Sequence, residues 1–242
     1  MNKAFCRKRI IFSLLFAGCL ILFNLSCGLD TFYVVDGPTN TLHQPDLDNI
    51  DYSSYYFDFY TVDKEYDSIK FHGNDVYYKI YKSSSRLKTE AEDLQALSRR
   101  DDSNNSAADK LIQQYKFQPL RAAGYDDKAV LIPATGSNQR VNIRLSDYQG
   151  LYLAQITVDG ENIYDSPSRV IPVRNLPDRP TFNLTAANTP KSDDADVNTS
   201  GTASSDGEWY VSMFAVAVGQ DATYSPVYSN ILYLGSVRLQ VQ

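Results

Sequence analysis

Cysteine and histidine are scarce, with three and two in 242 residues. Cys6, Cys19 and Cys27 all fall near the N-terminus, so the rest of the chain can form neither an intrachain disulfide nor a cysteine-based metal site. His43 and His72 stand in no metal-ligand motif. A glycine-rich phosphate loop, Gly-x-Ser-x-Gly and His-Glu-x-x-His are all missing. Basic charge is short as well. All 29 acidic residues lie after position 26, against 19 of the 23 basic ones, which leaves that part near −10. Such a balance argues against sequence-independent nucleic-acid binding by phosphate neutralisation and against a polybasic membrane patch. Tryptophan occurs once, but 18 Tyr and 11 Phe bring aromatics to 12%, a bias toward strands. With 43% hydrophobic residues a real core is available, and simple disorder and collagen are ruled out.

Long apolar runs are limited to one. Lys3, Arg7, Lys8 and Arg9 precede Ile10 to Phe23, an apolar stretch of 14 residues broken only by Ser13. A spanning helix needs roughly 20 such residues, so 1–26 reads as an export signal outside the fold. Leu25-Ser26 then lead to Cys27, and Gly28-Leu29-Asp30 follow. This resembles a bacterial lipoprotein signal, which implies acylation of Cys27 as the first mature residue and a palmitate-type anchor. Phe16-Ala17-Gly18-Cys19 fits the signal box itself better, but cleavage there would leave Leu20-Ile21-Leu22-Phe23 at the mature end. Cleavage before Cys27 consumes the whole apolar run.

Residues 27–54 hold Gly37-Pro38, Pro45 and scattered Asp and Asn, and read as a tether. Strands follow at 55–62 and 76–81, with His72-Gly73-Asn74-Asp75 as a turn signal between them. Val76, Tyr78 and Ile80 would share one face, and Tyr77, Lys79 and Tyr81 the other. Leu87, Ala91, Leu94 and Leu97 recur at helical spacing, predicting a helix over about 86–99. Ser106 to Asp109 has capping-box form and opens a second helix over about 107–116, ended by Gln118-Pro119. Strand candidates come at 129–132, 140–145, 150–158 and 169–173, with Asp159-Gly160 as a hairpin turn. Ala186 to Gly207 is polar and reads as a mobile loop. The strongest strands are 208–218 and 227–234. Trp209, Val211, Met213, Ala215 and Ala217 alternate with Tyr210, Ser212, Phe214, Val216 and Val218, so both faces are apolar and the strand should be central.

The segment WYVSMFAVAVGQDATYSPVYS resembles the last two strands of a fibronectin type III domain, through Trp209 or Tyr210, Ala215-Val216, Gly219, and Ser225 with Ser229. Gly73 to Tyr81 is similar to that fold's third strand. Tyr56 or Phe57 stands where the family has a tryptophan. The resemblance implies a mainly β protein, a fibronectin type III/Ig-like antiparallel sandwich with an α+β insertion. Residues 55–83 and 171–236 count 29 and 66, near the ~100 of a sandwich domain. The domain would then span 55–236, with 84–170 as the insert and 237–242 as a tail. The layout of signal, Cys-Gly-Leu-Asp-Thr-Phe-Tyr and Tyr-Tyr-Lys-Ile-Tyr also resembles spirochaetal lipoproteins of unassigned function. That resemblance implies an envelope location, outer membrane or periplasmic face, and no particular activity.

Candidate chemistry is thin. Asp194, Asp196 and Asn198 resemble the start of a calcium loop, but Thr199 stands where glycine is required and Ser205 where the bidentate Glu belongs. The ordinary reading is a solvated acidic loop without metal. Asp126-Asp127 and Asp193-Asp194 read as solvated pairs. Tyr55, Tyr56, Tyr60, Tyr77, Tyr78 and Tyr81 crowd two strands and could form a recognition or sugar-binding platform. Core packing of about half of them is the plainer account. No catalytic residue and no cofactor are expected. The expected function is a lipid-anchored, non-enzymatic interaction or structural module whose partner is the membrane through its lipid and another envelope protein or a glycan. The alternative is a glycan- or small-ligand-binding lipoprotein with its site formed by the insert.

Overall fold

A computed structural model describes residues 34–100, 105–176, 180–186, 188–203 and 207–239. The leader 1–26, Cys19, Cys27, the start of the expected tether and residues 240–242 lie outside the described residues. In chain order the strands are β1 (Thr41–His43), β2 (Phe57–Tyr60), β3 (Lys70–Tyr81), β4 (Gln118–Pro119), β5 (Arg121–Ala122), β6 (Ile132–Pro133) and β7 (Arg140–Arg144). They continue with β8 (Gln155–Val158), β9 (Glu161–Asn162), β10 (Pro172–Val173), β11 (Val197–Asn198), β12 (Trp209–Gln220) and β13 (Pro226–Leu239). Helices α1 (Ser84–Arg100) and α2 (Ser106–Asp109) lie between β3 and β4, and α2 runs on through a π-turn at Lys110–Gln114.

The protein is mainly β, with antiparallel sheets. One sheet has the order β1-β2-β7-β8-β9 and another β11-β3-β12-β13, while β5 and β10 form a small ribbon. Strand β12 lies between β3 and β13, with Met213 opposite Tyr78 on one side and Gly235 on the other. Its alternation divides two cores as expected. Trp209, Val211, Met213 and Ala215 join Val76, Tyr78 and Ile80 of β3, packed with Phe57, Phe59, Val141, Ile143 and Ile156 of the five-stranded sheet. Tyr210, Phe214 and Val216 join Tyr77 and Tyr81 under Leu87, Ala91 and Leu94 of α1 and Leu111 and Phe117 beyond α2. Each fully buried side chain of this size is worth ~1.5–3 kcal/mol. The result is sheet on sheet, with helices on the far side of the second sheet.

The segment 84–170 is not an appendage. Its β7 pairs with β2 along the whole of that strand, β4 and β6 pair with β3, and its side chains enter the core between the sheets. The expected tether is part of the fold from residue 34 onward. Val35 and Leu47 are buried, β1 pairs with β2, and Pro45 accepts the N–H of Ser236. Polar composition concealed this, because the segment works by covering the free edge of β13. Gln44 Nε2 donates to the Tyr233 carbonyl and Arg238 Nε to that of Leu47. Gly235 makes the approach possible, since a Cβ there would lie 2.7 Å from the Pro45 oxygen. The expected tail begins inside β13, where Val237 and Leu239 face Val211 and Trp209.

The turn expected at 72–75 is absent, and β3 runs straight through it. Gly73, at φ 133°, serves instead to let β6 cross, as a Cβ would meet the Ile132 oxygen at 2.1 Å. Asn74 clamps the neighbouring loop, donating to the Val62 carbonyl at 2.8 Å and accepting its N–H. The second helix starts at Ser106 behind Asn105, whose side chain makes no capping bond. Burial of Ala107, Ala108 and Leu111 anchors it. Gln118-Pro119 pairs with β3 rather than merely ending a helix.

The largest correction concerns the acidic loop. Asp194 and Asp196 are buried, not solvated, because Arg174 is buried against them. Arg174 Nε and Nη2 donate to the two Asp196 oxygens at 2.8 and 2.6 Å, and Nη2 also reaches Asp194 at 2.8 Å. Tyr78 donates to Asp196 at 2.7 Å and accepts the N–H of Asn175 at 2.9 Å. Burial alone would lower the Arg174 guanidinium, but hydrogen bonds and charge from Asp196 and Asp194 raise it. The cluster joins residues 172–175 and 191–198 to β3, along which β11 then pairs in parallel. Both carboxylates offered as calcium ligands are thereby occupied. Removing one partner of a buried ionic group costs ~3–5 kcal/mol. Arg174→Met should lose that much in urea unfolding, and a loss under ~1 kcal/mol would show that the cluster does not organise the loop.

Asp75 is a second buried carboxylate position whose titration bears on stability. Its Oδ1 accepts the N–H groups of Val76 and Leu131 at 3.1 and 3.2 Å, and Arg121 Nη1 lies 3.5 Å away. Burial pushes its carboxyl up to about 6, with Arg121 and the two amides pulling it down. The folded state therefore holds this proton more tightly than the unfolded state. Its contribution is greatest below pH ~4 and is lost as pH rises through about 6, in total about 3 kcal/mol. The difference in unfolding free energy, wild type minus Asp75→Asn, should fall across that window. A flat difference would overturn this assignment.

Candidate functional site

Strands β2, β7 and β8 alternate with a period of two, and their inner residues are the Phe, Val and Ile of the core. The other set faces outward. Register places Tyr60 beside Arg140, and sets Asp58, Asn142, Thr157 and Asn162 in one row across four strands. Gln155 pairs with Arg144 in the adjacent row. Asp159 (φ 52°) and Gly160 (φ 87°) turn β8 into β9, both left-handed as the expected Asp-Gly hairpin turn requires. Over this face lies a cavity of about 650 Å³ lined by Tyr60, Arg140, Asn142, Gln155 and Thr157 together with Asp159, Gly160 and Asn162 of the hairpin. A second hollow of about 370 Å³ shares Asp159 and Asn162 and continues past Tyr164 and Asp165. Those two residues hold left-handed φ values of 63° and 51°.

Charge in the cavity is largely spent. Arg140 Nε donates to Asp58 Oδ1 at 3.0 Å and Nη2 to Oδ2 at 2.6 Å. Asp58 is buried and Arg140 half exposed. Hydrogen bonding to Asp58, and then its charge, raise the guanidinium. Asp159 accepts the backbone N–H of Arg140 at 2.8 Å. Three polar side chains are left over. Asn142, Gln155 and Thr157 are half-buried and make no side-chain hydrogen bond among the described residues. The face therefore offers two amides and a hydroxyl, without net positive charge, beside an exposed tyrosine ring.

The far end of the same face is closed. His43 stacks on Tyr56 at 4.0 Å and its Nε2 lies 2.8 Å from the Ser54 carbonyl. Arg144 lies over the Tyr56 and Tyr152 rings at 5.4 and 5.1 Å and donates to the carbonyls of Tyr52, Ser53 and Tyr55. Burial lowers this guanidinium. Its donors serve the loop before β2, so it shapes the sheet end.

The plainer account of the tyrosines at 55–60 and 77–81, core packing of about half of them, holds, and no recognition platform forms from them. Tyr55, Tyr77, Tyr78 and Tyr81 are buried, and Tyr81 donates to the buried Glu90 at 2.7 Å. Tyr56 is covered by His43 and Arg144, leaving Tyr60 in the cavity. Their strands carry apolar demand on both faces, which takes tyrosine into the core. His72 lies in β3, not in a turn. Asp126 and Asp127 are exposed. Among the described residues no cluster of three or more His, Cys, Asp or Glu could hold a metal ion, and no helix is long and apolar enough to cross a membrane.

No family model, curated protein or solved structure matches the chain. The site must be judged on its own geometry. Asn142, Gln155 and Thr157 escaped the sequence reading, although the alternation in Arg140-Val-Asn-Ile-Arg144 and Gln155-Ile-Thr-Val158 marks them as outward-facing. Alanine at any of the three should change unfolding free energy by no more than ~0.5 kcal/mol, since each has no partner in the fold. Phe59→Ala, directly beneath, should cost ~3–5 kcal/mol. Urea denaturation of the four variants checks the contrast.

Proposed function

We propose that the chain is a non-enzymatic, lipid-anchored protein of the bacterial cell envelope, and that the outer face of its five-stranded sheet is a binding surface. The observation that carries the reading is the patch of half-buried polar side chains Asn142, Gln155 and Thr157, which make no side-chain hydrogen bond among the described residues, under a cavity of about 650 Å³. These side chains are open to water on one side and make no bond that the fold uses, so they are free to serve a ligand. A ligand that hydrogen-bonds them accounts for their placement. Asp159, the carboxylate that lines the cavity, accepts the Arg140 backbone N–H, and Asp58 beneath it is paired with the Arg140 guanidinium, which speaks for binding rather than general acid–base catalysis.

The anchoring half of the reading rests on the basic n-region, the 14-residue apolar run and Cys27. The adjacency β3-β12-β13 supports a fibronectin type III/Ig-type sandwich, whose C, F and G strands are neighbours in one sheet. Seven of the eight cavity residues come from segment 84–170, which favours the expectation that this segment forms the site.

Two measurements test the proposal in intact cells. Cys27→Ala should move the protein from the membrane to the soluble fraction, while Cys19→Ala should not, because two or more acyl chains are what anchor stably. The reverse pattern would reassign the lipidated cysteine. A photo-crosslinking residue at Gln155 should capture a partner, whereas the same residue at Glu92, exposed on α1, should not. Equal capture at both positions would remove the sheet face from the argument.

A further inference from the structure

We infer that the ligand of this face is an uncharged oligosaccharide, an inference that rests on the outer face being the binding surface. Size admits a ligand of that kind, because binding cavities for small molecules run ~300–1,000 Å³. The second hollow meets the first at Asp159 and Asn162, so the site extends around the hairpin and suits a chain of units more than one compact molecule.

The chemistry of the walls selects hydroxyls. Each of Asn142 and Gln155 carries a carbonyl acceptor and an NH₂ donor, and Thr157 carries one donor and two lone pairs. An amide can engage two neighbouring hydroxyls at once, one as donor and one as acceptor. Asn142 and Thr157 are direct cross-strand partners, and Gln155 lies two residues from Thr157 on the same face, so the groups form a compact polar floor. Tyr60 adds an aromatic ring with a polar tip at the rim, the amphipathic surface that a sugar ring's C–H face needs.

The same walls disfavour other ligands. The cavity's one cation, Arg140, is paired with Asp58, and Asp159 adds a further negative charge, so phosphorylated, sulfated or uronic ligands meet repulsion. An extended peptide gains most from unpaired backbone at a sheet edge. Here the floor is the middle of a sheet, and β7 spends its backbone on β2 and β8.

The test is a printed array of neutral and anionic oligosaccharides probed with the full-length protein in detergent, followed by titration of the best ligand. Neutral members should bind. Asn142→Ala and Gln155→Ala should each weaken binding about tenfold while leaving the melting temperature unchanged. Affinity should hold when NaCl rises from about 50 to about 500 mM, because a neutral ligand makes no ion pair to screen. Binding confined to anionic members, or indifferent to both substitutions, would overturn the inference. So would an empty array. If the array is empty but Gln155 still crosslinks a protein in cells, the glycan fails and the surface stands. If neither gives a signal, both fail.

Discussion

Strand β12 is apolar on both faces, and neither face can be left to water. That requirement organises the protein. One face demands a second sheet, supplied by β2, β7 and β8, and the other demands the helices that follow β3. Because those helices and β7–β9 are consecutive in the chain, segment 84–170 must wrap from one side of β12 to the other. It is contiguous in sequence and an integral layer in space.

A sheet built this way has edges to manage. β3 spends its free side on three short segments in relay, β6, β4 and β11, each with only two residues in register. β13 is covered by residues 44–47 and by Ser98, whose hydroxyl donates to the Ile231 carbonyl at 3.2 Å. Unpaired edges template association with other chains, so irregular segments with low hydrophobicity have a structural use here. Buried ions hold some of them down. Arg174 fastens the stretch before β11, and Glu90 of α1 takes Tyr81, Arg86 and Asn198 at 2.7–3.0 Å, tying the helix to β3 and to β11. Bidentate and charge-assisted bonds supply direction that apolar packing lacks.

Against that background the outer face of the five-stranded sheet stands apart. Several polar side chains on other strands are enlisted: Asn74 clamps a loop, Ser229 accepts the Ala217 N–H, and Asp58 takes Arg140. Asn142, Gln155 and Thr157 are not. Asp58 also pairs the one cation that lines the cavity, Arg140. A rigid, two-layered scaffold beneath the face keeps these groups in register without mobile loops, which suits recognition by side chains fixed on strands.

Much of the architecture is legible along the chain wherever one element's own pattern decides it. The double alternation of 209–218, the facing of Val76-Tyr78-Ile80 against Tyr77-Lys79-Tyr81, the helical spacing of Leu87, Ala91 and Leu94, and the Asp159-Gly160 hairpin are all local properties. What fails is everything that depends on a distant partner. The residues of 34–54 look like a tether until β13 provides an edge to cover. Asp194 and Asp196 look solvated until Arg174, some twenty residues away, is brought beneath them. Gly73 looks like a turn until Ile132 crosses it. The candidate site is of the same kind. Alternation shows that Asn142 and Thr157 point outward, but only the pairing of β2, β7, β8 and β9 assembles Tyr60, Asn142, Gln155 and Thr157 into one surface. A chain carries its local periodicities in its own order, whereas burial, pairing and unmet hydrogen bonds are relations between segments and come into being when the layers close.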